Sequence, residues 1–409
     1  MCNLSNRMRS RNVCRAVLVL GFGLLACGVE TSHLWGKDAE HQLLTDQELA
    51  DGWISLFDGQ TFFGWRPAPG ANWRIADGAL VVDQGEVGLL CTTTQFSDYV
   101  LKVDYQCDTT TNSGLFLRTA PVATNVQADC YELNIAPPDN PFPTGSLVGR
   151  QKVTGLPLDE RWHTFEVTVN QSHILVSHDG QPCLAYDDPH PLGRGFIGLQ
   201  HNSGRAAFRN VKLRPLNTKA LFNGRDLTGW KPLPGLPAEF QVAPAGELRV
   251  HNGPGQLETD SVYGDFVLQL EGFSHGEKLN SGIFFRSIPG EKMNGYETQI
   301  YHGYDSGDRT KPSDQQGGTG AIFRRADARR VMPDDQEWFC LTLVAEGPHL
   351  AVWVNGYQVT DFVDRRPPDA NPRRGLRLEP GSILLQAHDA ATDYSFRKLR
   401  LAEMAPRRP

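Results

Sequence analysis

The sequence has no excess of positive charge and no basic stretch. Its 40 lysine and arginine residues are outnumbered by 47 aspartate and glutamate residues, which gives a formal net charge of −7. Domains that bind nucleic acids usually concentrate lysine and arginine on one face to meet the phosphates. The composition therefore predicts no nucleic-acid partner.

Several motifs of cofactor and metal chemistry are also missing. None of the eight cysteines has the CxxC spacing of a zinc site. The sequence contains no serine nucleophile elbow and no phosphate-binding glycine loop ahead of a helix. We therefore expect neither a bound metal nor a cofactor.

Long hydrophobic runs are rare, and the apolar run at 16–26 is too short to cross a bilayer. Arg7, Arg9, Arg11 and Arg15 precede it, as in an export signal, so residues 1–27 are predicted to be a signal peptide. Residues 24–27 resemble a lipoprotein box in which Cys27 is acylated; the alternative is ordinary cleavage with Cys27 incidental. We expect an exported protein (periplasmic, in the cell envelope or secreted) that contacts a membrane only through such a lipid. Residues 28–52 are read as a polar tether.

Acylation can be tested by metabolic labelling with a fatty-acid analogue. We predict that the wild-type chain takes up the label and that Cys27→Ser does not. Equal labelling of the two chains would contradict acylation and leave export open.

The same motifs occur twice in the same order, which indicates a duplication. The copies are predicted at 53–216 and 219–403. The paired motifs are LFDG at 56–59 and LFNG at 221–224, NSGLFLR at 112–118 and NSGIFFR at 280–286, and YELNI at 131–135 and YETQI at 296–300.

Each copy has the pattern of short strands. In the segment 99–105, apolar residues alternate with Lys102 and Asp104, as in a half-buried strand. Asp179-Gly180 and Asn355-Gly356 are typical of tight hairpin turns. No amphipathic helix longer than three turns follows the tether, so the predicted fold class is all-β, with a two-sheet antiparallel sandwich in each copy.

The paired motifs, together with a closing Leu-Gln…Phe-Arg pattern, resemble the 3-keto-disaccharide hydrolase family. The resemblance covers nearly the whole chain after the leader, once per copy. It implies two tandem concanavalin-like jelly rolls, similar in outline to family 16 glycoside hydrolases. It also implies an oxidised di- or oligosaccharide substrate, such as 3-ketosucrose or 3-ketotrehalose.

Candidate site residues of the second copy follow from strand alternation and from this resemblance. A ketone at C3 acidifies the C2 hydrogen, so a base can remove it and the glycosidic oxygen can leave. We expect Glu297 or His388 to be the base and the other to be the proton donor, with Arg286 at the ketone oxygen. The expected substrate-binding residues are Asn280, Gln299 and Gln386.

The first copy offers Arg118, Glu132, Asn134 and Gln200 as substrate-binding residues. It has Asn134 where the family favours glutamine, and Asn202 where the second copy has its histidine, so we expect it to be less active. Three alternatives stay open: a lectin-like binding module without chemistry, an interaction domain of an envelope complex, and a solvated Arg–Glu pair with no function.

Overall fold

The computed structural model of the protein describes residues 42–406. The predicted signal peptide, Cys27 and residues 28–41 of the expected tether lie outside the described residues. Within 42–406, no helix is both long enough and apolar enough to span a bilayer. The five cysteines in this part of the chain are all free thiols.

The first half begins with helix α1 (Asp46–Asp51) and continues as strands only. The strands are β1 (Ile54–Ser55), β2 (Trp65–Pro67), β3 (Arg74–Ala76), β4 (Ala79–Val82), β5 (Gly88–Thr92), β6 (Tyr99–Cys107), β7 (Asn112–Thr119), β8 (Tyr131–Ile135), β9 (His163–Asn170), β10 (His173–His178), β11 (Gln181–Asp187), β12 (Phe196–Ser203) and β13 (Ala206–Pro215).

The second half repeats this series. Its strands are β14 (Lys219–Ala220), β15 (Trp230–Pro232), β16 (Glu239–Val242), β17 (Leu248–His251), β18 (Gly255–Thr259), β19 (Phe266–Ser274), β20 (Ser281–Ser287), β21 (Tyr296–Ile300), β22 (Trp338–Glu346), β23 (His349–Val354), β24 (Tyr357–Val363), β25 (Ser382–Ala387) and β26 (Asp393–Glu403).

Each half is a sandwich of an eight-stranded and a five-stranded sheet. In the first half the order is β11-β10-β9-β6-β13-β4-β3, with β1 beside β13, and β2-β5-β12-β7-β8. In the second it is β24-β23-β22-β19-β26-β17-β16, with β14 beside β26, and β15-β18-β25-β20-β21. Every strand thus has a counterpart at the same place in the other half. The predicted all-β tandem sandwich is confirmed.

Local sequence explains both the turns and the cores. Asp179 and Gly180 both have positive φ (49° and 77°), as do Asn355 and Gly356 (48° and 74°), which suits the tight hairpins predicted there. The inward residues of both sheets are almost all apolar, so each sandwich encloses a core of its own.

The described part of the expected tether is not a free linker. Thr45 caps α1 through a capping box with Glu48, and Leu44 and Leu49 are buried. The Gln269 amide on the second half donates to the Gly52 carbonyl at 2.8 Å. The tether prediction is therefore wrong for residues 44–52, because two leucines spaced for burial anchor this segment.

The two halves share an interface. Trp353 of the second half is buried, its ring centroid lies 6.3 Å from that of Phe96, and its Nε1 donates to the Ser55 carbonyl at 2.9 Å. An ion pair joins Arg329 to Asp58 at 2.8 Å. The two copies therefore pack directly against each other.

Candidate active site

The outer face of the five-stranded sheet in the second half is polar, although nearly all of it is buried. Leu257, Leu385 and Ile283 point into the core, so their neighbours along each strand point outward. One outward row contains Gln256, Gln386, Gly282 and Gln299, and the next contains Glu258, Leu384, Phe284 and Glu297. Buried polar side chains on an outer sheet face indicate that something covers them or binds there.

A cleft of ≈ 500 Å³ opens on this face. It contains five of the six site residues predicted for the second copy. Its lining residues are Asn280, Glu297, Gln299, Gln315, Gln316, Phe323, Arg324, Arg373, Gln386 and His388. The volume suits a sugar of one or two rings.

Glu297 is the central acidic group of the cleft. Only 5% of the residue is exposed, and its Oε2 accepts a hydrogen bond from Arg373 Nη2 at 3.0 Å. Burial raises the pKa of Glu297 above its ordinary value, although the charge of Arg373 acts in the opposite direction. A carboxylate with a raised pKa is a stronger base, which suits it to proton transfer.

Amide side chains surround the carboxylate. Gln299 Nε2 donates to Asn280 Oδ1 at 3.0 Å and to Gln316 Oε1 at 2.7 Å. The buried Oε1 atoms of Gln299 and Gln386 have no hydrogen-bond partner among the described residues. An unpaired buried carbonyl oxygen is costly, and a sugar hydroxyl bound in the cleft would satisfy it.

Two cleft residues that the sequence did not predict, Arg373 and Gln316, lie on two insertions, which are segments that are longer in the second copy than in the first. Arg373 is on the segment 364–381, and its guanidinium lies 4.8 Å from the ring centroid of Phe284 and 6.0 Å from that of Phe323. Gln316 lies on the other insertion, residues 304–317. Nothing in the sequence indicates that these two segments fold back over the sheet.

His388 lies at the rim, just after β25. Its side chain is 43% exposed, and its Nδ1 is 2.8 Å from Asp389 Oδ2. The hydrogen bond from His388 lowers the pKa of Asp389, so the ionised carboxylate accepts and Nδ1–H donates. This arrangement orients the ring and leaves Nε2 for proton transfer.

Gly282 lacks a side chain and so leaves room for the Glu297 and Gln386 side chains at the floor of the cleft. A Cβ at this position would lie 2.7 Å from Glu297 Oε1 and 3.3 Å from Gln386 Oε1. At the equivalent Gly114 of the first half, the nearest atom, the Leu133 carbonyl oxygen, would be 3.1 Å away. The glycine is therefore required by the position of the Glu297 carboxylate.

For the 3-keto-disaccharide substrate that the family resemblance implies, we predict that Gly282→Ala lowers kcat/KM by about 10²-fold, because a displacement of about 1 Å at a reacting group has this effect. Gly114→Ala is the matched control and should leave the rate within a few-fold of wild type. The rates are measured by steady-state release of free sugar. Equal losses in the two variants would contradict the assignment of the cleft.

Arg286 does not lie in the cleft, and the prediction that it contacts the substrate is wrong. The residue is completely buried at the end of β20. Its Nη2 donates to Asp265 Oδ1 at 2.7 Å, and its remaining donors reach the carbonyl oxygens of Gly264, Gly347 and Arg377. Arg286 therefore ties together segments at one end of the sandwich.

Arg118 has the same role in the first half, so its predicted substrate contact is wrong as well. It donates to Asp98 Oδ1 at 2.7 Å and to the carbonyl oxygens of Ser97, Gln171 and Leu192. Both arginines have positive φ (48° for Arg118 and 46° for Arg286), and the pairing with the neighbouring strand shifts register beside each of them. These bulges break the strict alternation on which the prediction relied.

The first half keeps part of the site. Glu132, Asn134 and Gln200 lie on the corresponding outer face, close to Gly114, and all three are buried. Burial raises the pKa of Glu132. The buried Oδ1 of Asn134 and Oε1 of Gln200 have no hydrogen-bond partner among the described residues.

The first half has Asn112 at the place of Asn280 but lacks other components of the cleft. Val148 and Gly149 occupy the places of Phe323 and Arg324, as the matching isolated bridges next to them show. The connection between β11 and β12 is only residues 188–195, so no counterpart of Arg373 can reach the face. The outer row contains Cys91 where the second half has Glu258.

Comparisons with known proteins agree with the duplicated motifs. A sequence profile of the 3-keto-alpha-glucoside-1,2-lyase-like domain matches residues 52–214 and again residues 217–402. A 3-keto-disaccharide hydrolase of Bacteroides thetaiotaomicron is 32% identical over 245 residues, which cover 44% of this chain and 84% of that protein. The family resemblance found in the motifs is confirmed.

Two solved structures resemble parts of the chain. A Parabacteroides distasonis protein provisionally classed as a glycosyl hydrolase is 17% identical, with a TM-score of 0.39, over 43% of this chain and 99% of that one. A carbohydrate-binding module from Bacillus subtilis is 16% identical, with a TM-score of 0.31, over 36% of this chain and 94% of that one.

Proposed function

We propose, from the fact that this chain belongs to the family of 3-keto-alpha-glucoside-1,2-lyase-like domains, that its second sandwich cleaves the glycosidic bond of 3-keto-disaccharides. The supporting observation is the buried Glu297 carboxylate beside the Arg373 guanidinium, at the floor of a cleft lined with amides. A base and a cation 3.0 Å apart match a substrate whose acidic C2–H and C3 carbonyl are on adjacent carbons.

The proposed reaction has two stages. Glu297 removes the proton from C2, and the electron pair moves toward the C3 oxygen, where Arg373 stabilises the negative charge. The enolate then expels the glycosidic oxygen from C1, and this oxygen takes a proton from His388. Water adds across the resulting C1–C2 double bond, with hydroxyl to C1 and hydrogen to C2, so that the net reaction is hydrolysis.

The assignment of base and acid rests on position. Glu297 is deep in the cleft, where the oxidised ring is enclosed, whereas His388 is at the exposed rim, where the departing sugar can leave. Gln299 and Gln386 bind hydroxyl groups of the oxidised ring through their unpaired oxygens.

We predict that the effect of His388→Ala depends on the leaving group. With 3-ketosucrose the variant should lose about 10²-fold in kcat, as is usual for the loss of a general acid. With an aryl 3-keto-glucoside that releases a nitrophenolate, the loss should be within a few-fold, since this leaving group needs no proton. An equal loss on both substrates would assign His388 a role other than proton donation.

For the first sandwich we propose binding of related sugars with little or no turnover. It keeps Glu132, Asn134 and Gln200 on its outer face, but it has Asn202 at the position of His388 and no counterpart of Arg373. Its contribution would be to retain substrate near the second sandwich. Export, with or without a lipid on Cys27, is also part of the proposal, so the substrate would be met outside the cytoplasm.

The proposed activity is tested by incubating the chain with 3-ketosucrose and following the products by mass spectrometry. Release of fructose together with a 3-keto-hexose supports it, with unoxidised sucrose as the control substrate. Saturable binding of 3-ketosucrose without product release would instead support the lectin-like alternative.

A further inference from the structure

A second polar cluster lies in the first half, at the end of the hairpin formed by β9 and β10. Its members are His163, His178 and Asp179, and one possible ligand atom of each lies within 4.8 Å of the other two. His163 and His178 are buried, while the Asp179 side chain is 46% exposed. The cluster does not belong to the sheet face that carries Glu132 and Gln200.

We propose that this cluster is a binding site for a single transition-metal ion of the Zn²⁺ type. The ligands are Nδ1 of His163, Nδ1 of His178 and Oδ2 of Asp179. Two imidazoles and one carboxylate form a ligand set that suits zinc and leaves a fourth position open.

The ligand spacing supports the proposal. Asp179 Oδ2 is 2.7 Å from His163 Nδ1 and 3.7 Å from His178 Nδ1. Ligands about 2.0–2.2 Å from a tetrahedral zinc ion lie about 3.3 Å from one another, so small side-chain rotations are enough to admit the ion. The Asp179 side chain is partly exposed, which provides an entry path for the ion.

The hydrogen-bond partners of the two histidine rings also fit a metal site. The other ring nitrogen of His163, Nε2, is 3.1 Å from Asp159 Oδ1, and that of His178 is 2.8 Å from the Tyr105 hydroxyl. Metal-bound histidines generally donate their second N–H to a carboxylate or another oxygen, which fixes the ring and its tautomer. Both rings are held in this way, with Nδ1 turned toward Asp179.

The second half shows that the fold does not require these side chains. The equivalent hairpin has Phe339 at the place of His163, Val354 at the place of His178 and Asn355 at the place of Asp179. Phe339 and Val354 belong to the apolar core. Two buried imidazoles therefore replace two apolar core residues with which the second half folds, and a carboxylate replaces an amide. The sequence gave no sign of the site, because positions 163, 178 and 179 match no zinc motif.

The experiment uses the full chain, without a polyhistidine tag and after treatment with a chelator. Zn²⁺ binding is measured by calorimetry, and Co²⁺ binding by the visible absorption of a tetrahedral complex. We expect one equivalent of either metal to saturate the chain. We also expect Asp159→Asn, which removes only the partner of His163, to weaken binding about 10–100-fold.

The ligand variants are taken from the second half, where the same residues are compatible with the fold. His178→Val and Asp179→Asn should abolish the saturable binding, and circular dichroism checks that both variants are folded. Asn is found at the equivalent turn position of the second half, so Asp179→Asn should preserve the turn. This variant provides the test if His178→Val does not fold. The proposal is overturned if the wild-type chain does not bind Zn²⁺ or if a folded ligand variant binds it as tightly. Cleavage of 3-ketosucrose should be unchanged by the chelator.

Discussion

We expect Glu297→Gln to lower kcat for 3-ketosucrose by about 10²–10⁴-fold, the range typical of the loss of a general base. Glutamine preserves the size of the side chain and can still accept a hydrogen bond from Arg373, but it cannot remove the C2 proton. The effect should therefore fall on kcat rather than on KM, because ground-state contacts are largely kept. The measurement is steady-state release of fructose.

The duplication supplies the matched control. Glu132→Gln changes the equivalent carboxylate of the first half, which is also buried and also has a raised pKa. We expect this variant to stay within a few-fold of the wild-type rate. If Glu132→Gln abolishes activity while Glu297→Gln does not, the active site is in the other sandwich.

The same carboxylate determines the acid side of the pH profile. A base must be deprotonated to act, so kcat falls as the pH decreases through the pKa of Glu297 in the complex. Burial raises the pKa of Glu297, which places the acid limb at a higher pH than for an ordinary glutamate. The limb should persist in His388→Ala.

The second large effect concerns stability. We expect Arg286→Met to destabilise the chain by about 3 kcal/mol, because three part-buried carbonyl oxygens lose their charged donor. Asp265 also loses this partner, but it keeps Arg194 and the Gly347 N–H. This loss is a large fraction of the total stability of an ordinary domain. Urea unfolding followed by tryptophan fluorescence measures it.

Arg118→Met removes the equivalent hydrogen bonds in the first half, and we expect a loss of stability of similar size there. The activity per folded molecule should change little in either variant when it is assayed at low temperature. If the Arg286→Met chain is fully stable but inactive, Arg286 takes part in catalysis, contrary to the role assigned to it here.

The repeat and the period-two alternation were enough to predict a tandem sandwich and to place Glu297, Gln299 and Gln386 on one face. Each of these residues lies within a regular strand, so alternation assigns its face correctly. Alternation failed for Arg286 because a bulge with positive φ turns this residue away from the face. Such a bulge leaves little trace in a single sequence.

Arg373 could not be predicted for a different reason. It lies on a long connection without strands, and its contact with Glu297 depends on how this connection folds back over the sheet. Loop conformation of this kind is determined by tertiary contacts rather than by a local pattern. The one feature of the sequence that pointed to this segment was its greater length in the second copy.

The most direct test of the account uses 3-ketosucrose that carries deuterium at C2. Removal of the C2 proton by Glu297 predicts a primary isotope effect on kcat/KM and a 3-keto-hexose product that has lost its deuterium to the solvent. The released product, incubated with Glu297→Gln, controls for uncatalysed exchange. Rapid cleavage with no isotope effect and full retention of deuterium would mean direct substitution at C1, and it would contradict the proposed mechanism.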